Sequence, residues 1–167
     1  MKYERIQASL FIENRKKFTA KMVKNSLAVF NSNDIFSTGA DSTLPFEQHR
    51  NIFYLSGVDQ EESILLVFPD AKNELQREIL FVKETNDLIA IWEGAKLSKK
   101  QATASSGIKT VYWLEEFDSV FSKLMKESTH FYYNNIEHYR QAVEMETRED
   151  RFLKMIKSSY PNHKLLP

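Results

Sequence analysis

Four histidines are the first residues of this 167-residue chain that could do acid–base or metal chemistry: His49, His130, His138 and His163. None lies four residues from another, the spacing that puts two imidazoles on one helix face for a divalent metal. Each therefore reads as a surface or half-buried structural residue rather than a ligand or general base. The acidic run Glu144, Glu146, Glu149 and Asp150 is interleaved with Arg148 and Arg151. That pattern suits the solvated start of a helix better than carboxylates converging on a cation. A His-Glu-x-x-His helix, a glycine-rich phosphate loop and a Gly-x-Ser-x-Gly elbow are all absent from the sequence. With no cysteine there is no thiolate nucleophile, no zinc–thiolate site and no disulfide. The two tryptophans separate. Trp113 sits inside an apolar strand and reads as core, whereas Trp92 ends an apolar stretch and is followed by Glu93, Gly94, Lys96, Lys99 and Lys100. An indole in that setting is a candidate contact residue.

Composition narrows the partners. Lysine plus arginine and aspartate plus glutamate both count 23, which leaves no net field to draw in nucleic acid or an acidic membrane surface. Charges interrupt every apolar run near the amino terminus, so neither a signal peptide nor a membrane span is expected, and a cytoplasmic protein is. A chain of this size buries roughly two thirds of its unfolded surface in one domain, and 13% aromatic residues must fill much of the interior.

The elements that would position these residues can be read in order. Leu10, Phe11, Phe18 and Met22 among basic residues predict an amphipathic helix over 9–23. Ser26 to Asn31 is a compact apolar strand, and Asp34 to Ser37 a further short one. Residues 38–45 form an exposed loop. Gln48 to Gly57 reads as a strand with Phe53 and Leu55 on one face and Ile52 and Tyr54 on the other, paired antiparallel with Ile64 to Phe68. That second run does not alternate, so both its faces should be covered. Glu78 to Val82, Thr110 to Trp113 and Phe131 to Tyr133 supply further strands. Ser98-Lys99-Lys100-Gln101 has the form of a capping box that opens a helix closed at Gly107. Phe117, Val120, Phe121, Leu124 and Met125 make the clearest helical stripe. A last helix over 147–159 should turn Phe152, Met155 and Ile156 inward. The sum is an α/β fold with a mixed sheet of about six strands and helices packed on it.

Asn51-Ile52-Phe53-Tyr54-Leu55-Ser56-Gly57-Val58-Asp59, with the apolar strand that ends at Pro69, resembles the Asn-x-Phe-Tyr-Leu-Thr-Gly element of the amino-terminal domain of Xaa-Pro aminopeptidase (aminopeptidase P). Matches continue in order through Phe11-Ile12-Glu13-Asn14-Arg15, Ser26 to Phe30, Leu80-Phe81-Val82 and Ile91-Trp92-Glu93-Gly94 before Lys96 and Leu97. Ser56 and Ala90 depart from the family pattern, the latter where an acidic residue is often found.

The resemblance implies a three-layer domain of the creatinase/prolidase amino-terminal type filling residues 1–167, without the pita-bread catalytic domain that would follow. It implies that the catalytic domain holds two divalent metals, usually manganese, whose bridging hydroxide attacks the bond before a proline at the second position. No catalytic residue or metal ligand is expected within these residues. The implied partners are the chain's own catalytic domain, further copies of the protein and peptides with proline second. Trp92, Glu93 and Gly94, then Tyr54 and Arg50, are the candidates for the substrate-cleft wall or a subunit contact. A catalytically inactive interaction module and the amino-terminal domain of a prolidase or creatinase are the alternatives.

Overall fold

Ser26–Asn31 forms β1, every residue of it buried, and the sheet grows outward from this strand. The computed structural model describes residues 6–40, 42–86, 88, 90, 91, 94–134 and 146–167. On one side of β1 lie β2 (Ile64–Val67), β3 (Glu78–Val82) and β4 (Thr110–Trp113); on the other lie β5 (His130–Tyr132) and β6 (Lys164–Leu166). Only β2 is antiparallel to its neighbours, with Val29 opposite Leu66 and Leu65 opposite Leu80. The β3–β4, β1–β5 and β5–β6 pairs are parallel. Five strands thus end on one edge, and the six-stranded mixed sheet is the one expected from the order of elements.

Alternation along the strands serves two interiors. Ala28, Phe30, Leu65, Val67, Leu80 and Val82 point to the face covered by α1 (Ala8–Thr19), α2 (Arg50–Ser56) and α3 (Lys99–Ser106), which contribute Phe18, Ile52, Leu55 and Ala102. Leu27, Val29, Leu66, Ile79 and Phe81 point to the opposite face, under α4 (Phe117–Glu127) and α5 (Arg148–Ser159). There Phe117, Phe121 and Phe152 meet Phe81 and Phe131 in ring contacts 5.1–6.2 Å apart. This three-layer arrangement explains why β2 carries four apolar residues without alternation: both of its faces are covered. The Ser98–Gln101 capping box and the left-handed Gly107 bound α3 as expected.

The largest correction concerns Gln48 to Gly57, which is helix rather than strand. The His49 imidazole accepts the Asn51 N–H at 3.2 Å as an N-cap, and Gly57 closes the helix at φ 67°. Ile52, Leu55 and Ser56 are the buried positions, at helical spacing. The antiparallel partner of β2 is therefore β1, with β3 on its other side. Asp34 to Ser37 forms no named strand; a single bridge joins Ser37 to Thr43 in an otherwise exposed loop. Strand β6 was unforeseen. Met155 is 37% exposed, so in α5 it is Ile156, with Phe152 half-buried, that faces the sheet.

Candidate functional site

Arg15 organises the helical layer from beneath. Its side chain is fully buried on α1. Its Nη1 donates to the Leu55 carbonyl at 2.7 Å and to the Ser106 carbonyl at 3.0 Å, while its Nε meets Glu78 Oε2 at 2.9 Å. Those carbonyls sit at the C-terminal ends of α2 and α3, where helices leave acceptors unsatisfied and carry negative partial charge. One guanidinium fork therefore joins the ends of two helices to β3. Asn14 adds a bond from Nδ2 to the Tyr54 carbonyl at 2.9 Å.

Above this junction an open groove of about 900 Å³ runs between α1, α2, α3 and the segment that precedes α3. Phe11, Phe46, Phe53 and Leu97 give it apolar walls, and Asp59, Glu61 and Lys96 its polar rim. Lys96 pairs with Glu61, and the Leu97 N–H donates to Gln60 Oε1 at 2.6 Å, so the segment entering α3 is tied to the loop after α2. Gln48 holds the same loop from the other side, its Nε2 reaching the Gln60 carbonyl at 2.8 Å, the Val58 carbonyl at 3.1 Å and Ser63 Oγ at 3.2 Å.

The expected contact residues fall around this groove unevenly. Gly94, at φ 79° with open space among the described residues where a Cβ would stand, immediately precedes the Ala95–Lys96–Leu97 wall. Tyr54, 54% exposed, and Arg50, also exposed, stand on the outer side of α2 and do not line the groove. Trp92 and Glu93 lie outside the described residues, as do His138 and Glu144. Shortly before Gly94 in the sequence, Leu88 and Ile91 are 72% and 73% exposed.

At the edge where five strands end, polar side chains fill the crevice between β1 and β5. Glu149, expected on a solvated helix start, instead turns inward: Asn31 donates to it from its backbone N–H at 3.0 Å and from Nδ2 at 3.2 Å. Burial pushes its carboxyl above the usual glutamate range. Asp150 keeps the expected exposed role, capping α5 with Thr147, and those hydrogen bonds hold its pKa below that of a free aspartate. His49 is 7% exposed; burial, then the charge of Arg50, lower its imidazole below the ordinary histidine value. Among the described residues no three His, Asp or Glu side chains gather as a metal-holding group, and no helix is long and apolar enough to cross a membrane.

Sequence spacing could have found Arg15, which falls four residues after Phe11 and three before Phe18 and so within the apolar stripe of α1. Glu149 gave no comparable signal, because its burial depends on where β1 ends.

Residues 11–133 match the family model for the aminopeptidase P N-terminal domain. A Xaa-Pro aminopeptidase of Haemophilus influenzae is 28% identical over 123 residues, covering 74% of this chain and 28% of that protein. Xaa-Pro aminopeptidase 3 of Homo sapiens is 29% identical over 105 residues, 62% of this chain and 21% of its own. Among solved structures, a Bacillus anthracis protein assigned as an aminopeptidase P superposes with TM-score 0.84 at 22% identity, covering 96% of this chain and 38% of that one. Pseudomonas aeruginosa aminopeptidase PepP gives 0.78 at 19%, with 98% and 37% covered. The chain thus spans well under half the length of the proteins it resembles. With the match running from the first turn of α1 to the residue after β5, the chain belongs to the aminopeptidase P N-terminal domain family.

Proposed function

We propose that these residues serve as the non-catalytic amino-terminal domain of a metal-dependent Xaa-Pro aminopeptidase, helping to build its oligomer and the wall of its substrate cleft. The observation that supports a contact role is the pair Leu88 and Ile91. Both leave most of their apolar surface in water, a few residues before the segment that lines the groove, a cost that a covering partner would remove. On this reading Trp92, Glu93 and Gly94 meet the catalytic domain, a second copy or the peptide, and Tyr54 and Arg50 extend the contact along α2. Two divalent metals, with manganese the expected ion, and the hydrolytic water belong to the catalytic domain, where they would polarise the carbonyl before proline and supply hydroxide.

Two outcomes test this. The purified 167-residue chain, given manganese and peptides with proline second, releases no first residue; manganese-dependent release that copurifies with it would refute the assignment. In the whole protein, Trp92→Ala lowers turnover or shifts the oligomer while the 167-residue chain melts within about 1 kcal/mol of wild type, the cost of an ordinary surface change. Collapse of the domain with unchanged assembly and turnover would return Trp92 to the core.

A further inference from the structure

In open α/β sheets the crevice at the carboxyl ends of the strands, where chain order reverses, is the usual place for a ligand. Here the reversal lies at β1, which has β2 on one side and β5 on the other, and the crevice between β1 and β5 is occupied by side chains of the chain itself. Asn134, two residues beyond β5 and 7% exposed, is the hub. Its Oδ1 accepts from Asn51 Nδ2 on α2. Its Nδ2 lies 3.0 Å from His49 Nε2, 3.1 Å from His49 Nδ1 and 3.5 Å from Glu149 Oε1. His49 caps α2 and Glu149 stands in the first turn of α5, so the cluster spans helices that cover opposite faces of the sheet. It also joins the family-matched residues 11–133 to α5 beyond them.

We propose that His49 is an acid-sensitive latch: neutral, it caps α2 and packs against Asn134 and so couples α2 to α5, and protonation of its imidazole releases that coupling. The chemistry follows from the donor set. Nδ1 accepts the Asn51 N–H, which an imidazolium, a donor at both nitrogens, cannot do. Because Nδ1 is the accepting nitrogen, the neutral ring carries its proton on Nε2, and the added proton goes to Nδ1, removing the one acceptor that faces both the Asn51 N–H and, at 3.1 Å, the Asn134 amide nitrogen. Among the described residues the charged groups nearest the cluster are Arg50 on α2, Glu149 on α5 and, past Glu149, Arg148 with Asp34 in the loop after β1, which accepts the Arg148 N–H at 2.8 Å and pairs with Arg151. Arg50 opposes a second positive charge, and Glu149 is already committed to Asn31.

The two titrating groups work in opposite directions. Because the folded imidazole lies below the ordinary value of 6.5, its contribution is complete above that value and is lost as the pH falls toward the lowered one. Glu149 is raised, so acid favours the folded chain as its carboxyl takes up a proton between its folded value and the ordinary 4.5. Glu149→Gln removes the second effect.

The test compares Glu149→Gln with Glu149→Gln/His49→Asn by urea unfolding from about pH 8 to about pH 5. Asparagine is a good N-cap that does not titrate. The expected result is that the chain retaining His49 loses folded-to-unfolded ratio on acidification relative to the double variant, by up to about tenfold per pH unit within the window. Parallel curves would overturn the proposal. In wild type, NMR should show the His49 ring titrating below the ordinary histidine value, with faster exchange of the Asn51 N–H in the same transition. A ring that titrates at or above that value, or an Asn51 N–H equally protected on both sides of the transition, would also overturn it.

Discussion

Replacing Arg15 with alanine should destabilise the domain by about 3–5 kcal/mol, the cost of truncating a large fully buried side chain and orphaning the acceptors it held. The deletion leaves the Leu55 and Ser106 carbonyls and Glu78 without their donor at the junction of α2, α3 and β3. It also leaves a void where a fully buried side chain stood. Arg15→Lys should be nearly as damaging, because a single ammonium cannot hold two carbonyls and a carboxylate at the fixed angles of the guanidinium fork. Glu78→Gln separates charge from geometry. This change keeps an oxygen acceptor for Nε but takes the counter-charge from a fully buried guanidinium, so it should cost about 1.5–3 kcal/mol, the range of a hydrogen bond to a charged group, still below the loss of all three contacts and the side chain. Among the described residues Arg15 Nη2 is buried without a partner, which reduces what the arginine gains from burial. Urea unfolding with an unchanged m-value measures all three. An Arg15→Ala loss near that of Glu78→Gln would mean that the helix ends need no common donor.

How far the sequence carries the fold depends on the length of each signal. The α4 stripe from Phe117 to Met125 repeats over more than two turns, and the Ser98–Gln101 box names its own helix start; both elements stand where expected. The seven residues of α2 are too few for periodicity to choose between states. Ile52, Phe53, Tyr54 and Leu55 alternate as well as they spiral, and aromatic and β-branched residues favour a strand. Tertiary packing decides, since Phe18, Met22 and Ala28 make an apolar floor for Ile52 and Leu55. Strand β6 has three residues and gains its place from β5, through pairs such as Phe131 with Leu165; nothing in Lys164-Leu165-Leu166 alone announces it. The candidate site divides the same way. The segment around Gly94 could be singled out from the abrupt change after Trp92, but the groove beside it needs Phe11, Phe46 and Phe53 brought from three separate stretches. Glu149 looked solvated because charge patterning reports neighbours in sequence, whereas its hydrogen-bonding partner, Asn31, is 118 residues away.

The second large effect is expected at Gly57. Alanine there should cost about 2–5 kcal/mol: about 1–2 for a side chain held in the left-handed region and about 1–3 for overpacking. The residue closes α2 at φ 67°, and a Cβ would stand 2.2 Å from Phe11 Cε2 and 2.5 Å from Cζ. Phe11 has little room to yield, being 4% exposed and set edge-on to Phe53 at 6.1 Å. Gly94 supplies the internal control. Its φ of 79° is equally left-handed but nothing among the described residues lies within 4 Å of a Cβ there, so Gly94→Ala should cost only the backbone strain of about 1–2 kcal/mol. The difference between the two alanine variants isolates the ring contact. Phe11→Leu shortens the obstructing side chain, so Gly57→Ala/Phe11→Leu should be less destabilised than the sum of its single changes, a coupling readable in a double-mutant cycle. Additive costs would mean that the helix end, not the ring packed on it, is what demands glycine. Because Phe11 and Gly57 both line the groove, the same cycle tells whether its wall is set by this contact between α1 and the end of α2.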